Sequence, residues 1–422
     1  MNAISTVDKQ ELVRETTLVF PDTNDYGKPI GTAENLKVLL DSLGITPTQN
    51  LMNLELELFS YGEPLGKSYE SKRSFLVSEC LKAGLPKTII DDHLTALCEG
   101  NPYHPARAYL DGNKWDGKPR LKPLIAAMNA KDLKLAEIVM KRWFVSVVAC
   151  LYEDRFSSKL VPVLQGGQSF KKTAFISRLA NFAEGIFLEG AELNPDNKDS
   201  VLSCIKSLIV ELGELERTSK NSQGSLKAFV TRSVDSVRPP YARTDIKKNR
   251  QTLFIATVNG TEFLRDETGS SRYAVIELDK PVDMDCVNQL LGWEYQNGRV
   301  VQTHPEELQQ LWLEVKALYE AGESWMLTEA ELQLTQEANK IHNFKPNWQV
   351  VLEDRFIGVE ETSVRNYEWM TATDVCLYCD IAKNNVRAIG KALAAMAKDG
   401  HIEKKSGRAN KTLYRLPVVS EK

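Results

Sequence analysis

The chain has 422 residues, of which 42% are hydrophobic and 26% are charged, and its net charge at pH 7 is −4. These values are typical of a soluble globular protein with two to four domains, and no apolar run is long enough to span a membrane. The N-terminus has no signal pattern and the seven scattered cysteines predict reduced thiols, so we expect a cytoplasmic protein without membrane contact.

The N-terminal region is predicted to be mainly helical. Apolar periodicity predicts one helix over 32–43 and two more within 71–98, separated at Gly84-Leu85-Pro86. A further helix is predicted over 131–152. The region shows no spacing typical of a metal site or a nucleophile. We therefore expect a helical oligomerisation domain over residues 1–125.

A strand, a polar turn and a helix follow each other between 161 and 180. The turn consists of Gly166, Gly167, Gln168, Ser169, Phe170, Lys171, Lys172 and Thr173. In the P-loop pattern G-x-x-x-x-G-K-[ST], Gly166 is the first glycine, Lys172 contacts phosphates and the Thr173 hydroxyl binds magnesium. Lys171 occupies the position of the second glycine, so a polar surface turn is the alternative interpretation.

Polar residues adjoin three further apolar runs that predict buried strands. Glu211 follows the first run about 45 residues after the turn, Asn259 ends the second, and Arg272 precedes the third. Strands that alternate with helices predict a parallel sheet with its site at the carboxyl edge. The order of lysine, acid, asparagine and arginine is that of an AAA+ ATPase. For Glu211 alone, a strand that enters an acidic turn is the alternative.

Two segments carry a local surplus of positive charge. The segment 237–250 has five basic residues against one acid, and its two prolines exclude a helix, so it is expected to contact phosphates. From 381 to 417, nine Lys and Arg residues stand against two acids. Such a surplus on a mildly acidic chain indicates a nucleic-acid-binding face. A solvated helix surface is the alternative for this second segment.

Five motifs carry a resemblance to a known family. They are Trp115-Asp116-Gly117-Lys118-Pro119-Arg120-Leu121, Val210-Glu211-Leu212-Gly213-Glu214-Leu215, Leu226-Lys227-Ala228-Phe229, Arg238-Pro239-Pro240-Tyr241 and Phe263-Leu264-Arg265-Asp266-Glu267-Thr268-Gly269. Through them the chain resembles, over roughly residues 30–340, the virulence-associated E family of phage- and island-encoded proteins, which are similar to superfamily-three helicases.

The resemblance implies an α/β fold with an AAA+ P-loop ATPase domain over 126–345. It implies a ring-forming, hexameric replicative DNA helicase that uses ATP and Mg²⁺ in a bacterial host cell, with single-stranded DNA in its channel. Any primase would be a separate chain. The roles that it implies by position are Walker A (Lys172, Thr173), Walker B and magnesium (Glu211, with Thr173), second acid (Glu214), sensor (Asn259), arginine finger (Arg272) and DNA-gripping pore hairpin (Arg243, Lys247, Lys248).

The C-terminal region, 346–422, is predicted to be a winged helix. A helix, a turn, a second helix and a short basic hairpin follow in that order, and the second helix would enter a major groove of duplex origin DNA. The expected contacts are Lys391, Lys404, Lys405 and Arg408. A winged helix that contacts protein is the alternative.

Two departures from the family pattern leave a rival function open. Lys171 replaces a glycine, and Leu212 stands where a second acid normally follows Walker B. The rival is a DNA-binding replication initiator or regulator whose ATPase is weak or inactive.

Overall fold

The computed structural model of the chain describes residues 18–66, 68–213, 228–237, 245–261, 263–264, 272–342, 347–357, 359, 364–407 and 411–419. The chain divides into two compact units. Unit one comprises Met1–Gly260 with Thr268–Asn339, and unit two comprises Thr261–Glu267 with Lys340–Lys422. Within the described ranges, no helix combines the length and apolar character that crossing a membrane requires.

The first part of unit one packs helices on a four-stranded sheet. Its elements are α1 (Ala33–Ser42), β1 (Ile45–Asn50), β2 (Leu56–Ser60), β3 (Glu63–Pro64), α2 (Tyr69–Lys82), α3 (Ile89–Glu99), β4 (Pro102–Tyr103) and α4 (Pro105–Leu110). The Thr32 side chain caps α1, and residues such as Leu36 and Leu40 form a core of their own. The predicted helices are present, but the mainly helical prediction missed the sheet, in the order β3-β2-β1-β4. Strand β1 reads Ile-Thr-Pro-Thr-Gln-Asn, which is too polar to signal a strand.

The centre of unit one is a five-stranded parallel sheet in the order β11-β5-β10-β7-β6. The strands in this part of the chain are β5 (Val161–Gln165), β6 (Phe187–Ala191), β7 (Ile209–Leu212), β8 (Val234–Val237), β9 (Ile246–Asn249), β10 (Leu253–Val258) and β11 (Tyr273–Glu277). Every residue of β5, β7 and β10 is buried, because these apolar runs are covered on both faces. The predicted mixed α/β fold with a parallel sheet is confirmed.

Helices surround this sheet and a β-hairpin extends from unit one. The helices are α5 (Leu121–Ala126), α6 (Leu133–Tyr152), α7 (Lys172–Ala180), α8 (Lys198–Ile205), α9 (Met284–Leu291), α10 (Pro305–Glu320) and α11 (Glu329–Asn339), and the hairpin strands are β12 (Trp293–Gln296) and β13 (Arg299–Gln302). Helix α6 is almost wholly buried, and the Trp143 indole donates to the Phe254 carbonyl at 2.9 Å. This contact fixes α6 against β10.

The motif 115–121 anchors α10. The Arg120 guanidinium is buried and forms ion pairs with Asp116 at 2.8 Å and Glu307 at 2.7 Å. The peptide N–H of Arg120 donates to the Glu314 carboxylate. A buried guanidinium needs such partners on all sides, so this motif specifies packing.

Unit two has a small three-stranded sheet packed on three helices. Its elements are a 3₁₀ turn (Lys340–His342), α12 (Asn347–Phe356), β14 (Val364–Met370), α13 (Ala372–Tyr378), a second 3₁₀ turn (Lys383–Asn385), α14 (Val386–Lys398), β15 (Lys404–Ser406) and β16 (Thr412–Val419). The sheet order is β14-β16-β15, and all pairs are antiparallel. The two helices and the terminal hairpin that the sequence predicts are therefore present, and β14 adds a third strand.

Candidate functional site

The site begins at the turn between β5 and α7. A Cβ on Gly166 would stand 2.8 Å from the Phe170 ring and one on Gly167 would stand 2.9 Å from it, so the turn requires glycine at both positions. Ser169 and Lys171 both adopt left-handed backbone conformations, with φ of 69° and 63°. Lys171 thus holds the conformation that glycine adopts without strain. Strained residues of this kind concentrate at ligand-binding sites.

Lys172 is the first residue of α7 and points back into the turn. Its side chain is 7% exposed. The ammonium Nζ donates to the carbonyl oxygens of Gly166 at 2.8 Å and Gly167 at 3.0 Å, and to Asn259 Oδ1 at 2.9 Å. Burial lowers the pKa of this ammonium, and attraction by Glu211 opposes that effect. Lys172 therefore holds the turn closed through three oxygen acceptors.

Glu211 lies at the carboxyl end of β7 and is 1% exposed. Its Oε1 accepts hydrogen bonds from the Thr173 hydroxyl at 2.6 Å and the Thr257 hydroxyl at 2.9 Å. Its Oε2 is buried and accepts no well-formed hydrogen bond from the described part of the chain. Burial raises the pKa of this carboxyl and nearby Glu189 raises it further, while the two hydroxyls and the Gly190 backbone N–H lower it. The two hydroxyls therefore fix one oxygen, and the other oxygen is held less strictly.

The sheet topology explains why these groups meet. Strand β10 lies between β5 and β7, and the register pairs Val258 with Gln165 and Ala256 with Leu212. The chain leaving β5 runs to edge strand β6, whereas the chain leaving β10 runs to edge strand β11. Adjacent strands whose connections diverge in this way form the crevice in which α/β sheets bind ligands. The predicted carboxyl-edge grouping of lysine, acid and asparagine is therefore present.

This donor set fits magnesium and phosphate. Magnesium is usually held by one or two carboxylates and by phosphate oxygens, with water in its remaining positions. Thr173 and Glu211 already share a hydrogen bond, and the buried Oε2 of Glu211 accepts no well-formed hydrogen bond from the described residues, so it would be available to magnesium or to water on it. In the described ranges no group of three or more His, Cys, Asp or Glu side chains could hold a metal by protein ligands alone. The residues thus fit a metal that arrives with a phosphate ligand.

Thr257 is a site residue that the sequence analysis missed. It lies within the buried strand β10, and its hydroxyl donates to the same oxygen of Glu211 as the Thr173 hydroxyl does. A threonine inside an otherwise apolar run of buried strand was the available signal, because a buried hydroxyl needs a partner.

Arg272 does not join this group within one chain. It directly precedes β11, and its carbonyl accepts from the Val161 N–H at the start of β5. It therefore lies at the amino edge of the sheet, about 15 Å along the strands from the turn that follows Gln165. Its Nε is buried without a hydrogen-bond partner among the described residues.

The segment predicted to form a pore hairpin contains an antiparallel strand pair, its role in a pore stays a prediction, and one of its residues needs correction. Strands β8 and β9 pair as an antiparallel hairpin, and Lys247 is exposed on β9. Lys248 is only 6% exposed, and its ammonium donates to the carbonyls of Met52 and Ile205. Lys248 therefore cannot contact DNA in this structure, because its buried ammonium links β9 to the segments that contain Met52 and Ile205. Arg243 lies outside the described residues.

We expect the buried Lys248 to leave a signature in the pH dependence of stability. Burial lowers the pKa of its ammonium to about 8. Between this value and about 10.4 the unfolded chain keeps a proton that the folded chain has lost, so stability should rise with pH. The difference corresponds to about 3 kcal/mol. Urea unfolding at a series of pH values should show the rise in the wild type and its absence in Lys248→Met. The same dependence of unfolding free energy on pH in both proteins would contradict a buried ammonium at Lys248.

The remaining predicted residues either lie outside the described ranges or are exposed. Glu214 and Arg408 lie outside the described residues. Lys391 is exposed on α14, and Lys404 and Lys405 are exposed on β15. These three residues stay predictions for DNA contact.

Comparison with known proteins places the chain in a family. Three solved structures of the NrS-1 C-terminal region match the chain: the apo structure of residues 305–718 and two A-form apo structures. Each is 14% identical and covers 91% of this chain and 98% of the other, with TM-scores of 0.44, 0.45 and 0.43. No curated protein matches the chain. The model of the virulence-associated protein E-like domain matches residues 110–344, a span that contains the whole site described above. The chain therefore belongs to the virulence-associated protein E-like family.

Proposed function

We propose that this chain is a magnesium-dependent ATPase of the AAA+ P-loop class that acts in the replication of a phage or another mobile element. One observation carries the proposal: Lys172 contacts Asn259, and Thr173 contacts Glu211, at the carboxyl edge where the connections of the sheet diverge. A lysine, a hydroxyl and a buried carboxylate in this arrangement are the parts that phosphoryl transfer requires.

Each residue has a role in this proposal. Bound ATP with magnesium supplies the phosphoryl group and its leaving group. Lys172 exchanges its carbonyl acceptors for phosphate oxygens and stabilises their charge. Thr173 and Glu211 would hold magnesium, and the Thr257 hydroxyl keeps the Glu211 carboxylate oriented. Asn259 takes the sensor role, since its side-chain oxygen lies beside the lysine.

Arg272 supports a proposal that the chain acts as a ring. It lies at the sheet edge opposite the turn, so it cannot reach the site of its own chain, but it could reach that of a neighbour. An arginine supplied in this way stabilises transition-state charge and changes rates by roughly 10³ to 10⁵. We propose a hexameric DNA helicase in which Arg272 completes the neighbouring site.

Unit two supports duplex DNA binding. Helix α14 buries Ile389 and Leu393, and it exposes Arg387 and Lys391 one turn apart. Helix α13, helix α14 and the β15–β16 hairpin have the order of a winged helix, whose second helix reads the major groove. We propose that α14 is this helix.

The test of the ATPase is direct. Binding of a fluorescent ATP analogue should require magnesium, and phosphate release should increase when DNA is added. Strand displacement from a forked duplex then tests the helicase.

The second candidate function, a DNA-binding regulator with a weak ATPase, is favoured by the strained Lys171. Tight DNA binding without phosphate release would establish that alternative.

Duplex binding should depend on the exposed face of α14. Each cation lost from a phosphate contact lowers the slope of log affinity against log salt by about 1. We expect Arg387→Ala and Lys391→Ala each to weaken duplex binding and to lower this slope by about 1 in a salt titration. Lys37→Ala, which removes an exposed charge from α1, is the matched control. The same duplex affinity and salt slope in all three variants would show that α14 does not contact DNA.

A further inference from the structure

The three-stranded sheet of unit two has one buried face and one exposed face. Met370 of β14 and Tyr414 and Leu416 of β16 pack into the unit's core. Because side chains alternate along a strand, Tyr367 and Arg415 point to the opposite face. Trp369 of β14 is paired directly with Arg415 and shares that face. The outer face thus presents two aromatic rings on one strand.

Cations lie against both rings. Lys405 Nζ is 3.9 Å from the centre of the Trp369 ring, and the Arg415 guanidinium is 5.2 Å from the centre of the Tyr367 ring. Tyr367 is 54% exposed. Arg415 also forms an ion pair with Glu403 at 2.7 Å, which offsets part of the positive charge. Lys405 reaches Trp369 across the central strand β16, so both edge strands contribute to one surface.

We propose that this outer face, formed by Tyr367, Trp369, Lys405 and Arg415, binds single-stranded nucleic acid. Tyr367 is exposed and Trp369 is half-buried, and both rings lie beside cations on the sheet. Single-stranded nucleic acid has bases that stack on such rings and phosphates that attract such cations. A duplex offers its bases only at groove edges, so stacking on this face requires unpaired bases. This face is thus proposed to bind single strands, whereas α14 is proposed to bind duplex DNA.

A base can replace the present contacts of the rings. Stacking of a base on an aromatic side chain is stronger than an exposed cation–π pair. A base can therefore displace the Lys405 ammonium from the Trp369 ring, and the flexible lysine can then turn to a neighbouring phosphate.

The experiment measures binding of fluorescent oligo(dT), oligo(rU) and a duplex of equal length to the full chain by anisotropy. Tyr367→Ala and Trp369→Leu should each weaken oligo(dT) binding by roughly 5- to 160-fold, which is the stacking contribution of one base. Trp369→Phe keeps a ring and should restore most of the affinity. Lys405→Ala should lower the salt slope by about 0.7. A loss that extends to oligo(rU) assigns the face to both nucleic acids, and a loss confined to oligo(dT) assigns it to DNA.

Three results would overturn the proposal. Unchanged oligonucleotide binding in Tyr367→Ala and Trp369→Leu would leave the face without a nucleic-acid role. An equal loss on the duplex would show a general effect on unit two. Failure of Trp369→Phe to restore binding would show that the tryptophan acts in packing. The readout is independent of ATP hydrolysis, so an inactive ATPase would not affect this conclusion.

Discussion

Replacing Lys172 by alanine should lower the rate of ATP hydrolysis about 100-fold or more. The ammonium sits at the mouth of the turn between β5 and α7, within 3.0 Å of three oxygens. Those contacts place a positive charge where the phosphates would lie, and a charge acting in a site screened from water is worth several kcal/mol. Steady-state phosphate release measures the loss, and titration with a fluorescent ATP analogue separates binding from chemistry.

The neighbouring lysine provides the matched control for this prediction. Lys171 is exposed and has the left-handed conformation, so Lys171→Ala should lose less than tenfold in rate. Lys171→Gly should raise the stability of the folded protein by about 1 kcal/mol, because glycine adopts this conformation without strain. Wild-type hydrolysis in Lys172→Ala together with a severe loss in Lys171→Ala would make Lys171 the phosphate-binding residue.

Replacing Glu211 by glutamine should abolish hydrolysis, with a loss of about 100-fold or more, while the nucleotide still binds. The amide keeps an oxygen for the hydroxyls of Thr173 and Thr257 but cannot supply the negative charge that holds magnesium. Phosphate release checks the loss of hydrolysis, and binding of the ATP analogue checks that the nucleotide still binds. Both are measured over a range of magnesium concentrations. Hydrolysis at the wild-type rate in Glu211→Gln would remove Glu211 from the metal site.

The same substitution should change the pH dependence of stability. Burial raises the pKa of Glu211 above its ordinary value, so at neutral pH the buried charge destabilises the fold. As pH falls through this raised pKa towards about 4.3, the folded carboxyl takes up a proton before the unfolded one, and the penalty disappears. Without nucleotide, Glu211→Gln should therefore lack the wild-type gain in stability on acidification. Urea unfolding from pH 8 to pH 5 tests this, and a shared pH dependence would contradict it.

The parts of the site that were predictable are those that local sequence determines. Three buried strands of the central sheet are continuous apolar runs, so the residues that follow or end them, Lys172, Glu211 and Asn259, could be located from the amino-acid order alone. Parallel pairing then brings those strand ends to one edge.

The parts that were not predictable depend on distant contacts. Lys248 appeared in a basic segment, yet its ammonium is satisfied by carbonyls of Met52 and Ile205, which are far away in sequence. The strand β1 was missed because pairing with β2 holds it in place, whereas its own polar sequence gave no signal. Tertiary partners override local preference in both cases.

The three oxygens that contact the Lys172 ammonium compete for it with any anion that enters the turn. A ligand gains only the difference between its own contact with the ammonium and the contacts that it displaces, each of which contributes about 1.5–3 kcal/mol with a charged donor. A small monoanion cannot offset three such contacts, whereas a polyphosphate with several charges can. We therefore expect the turn to bind polyphosphates in preference to simple anions.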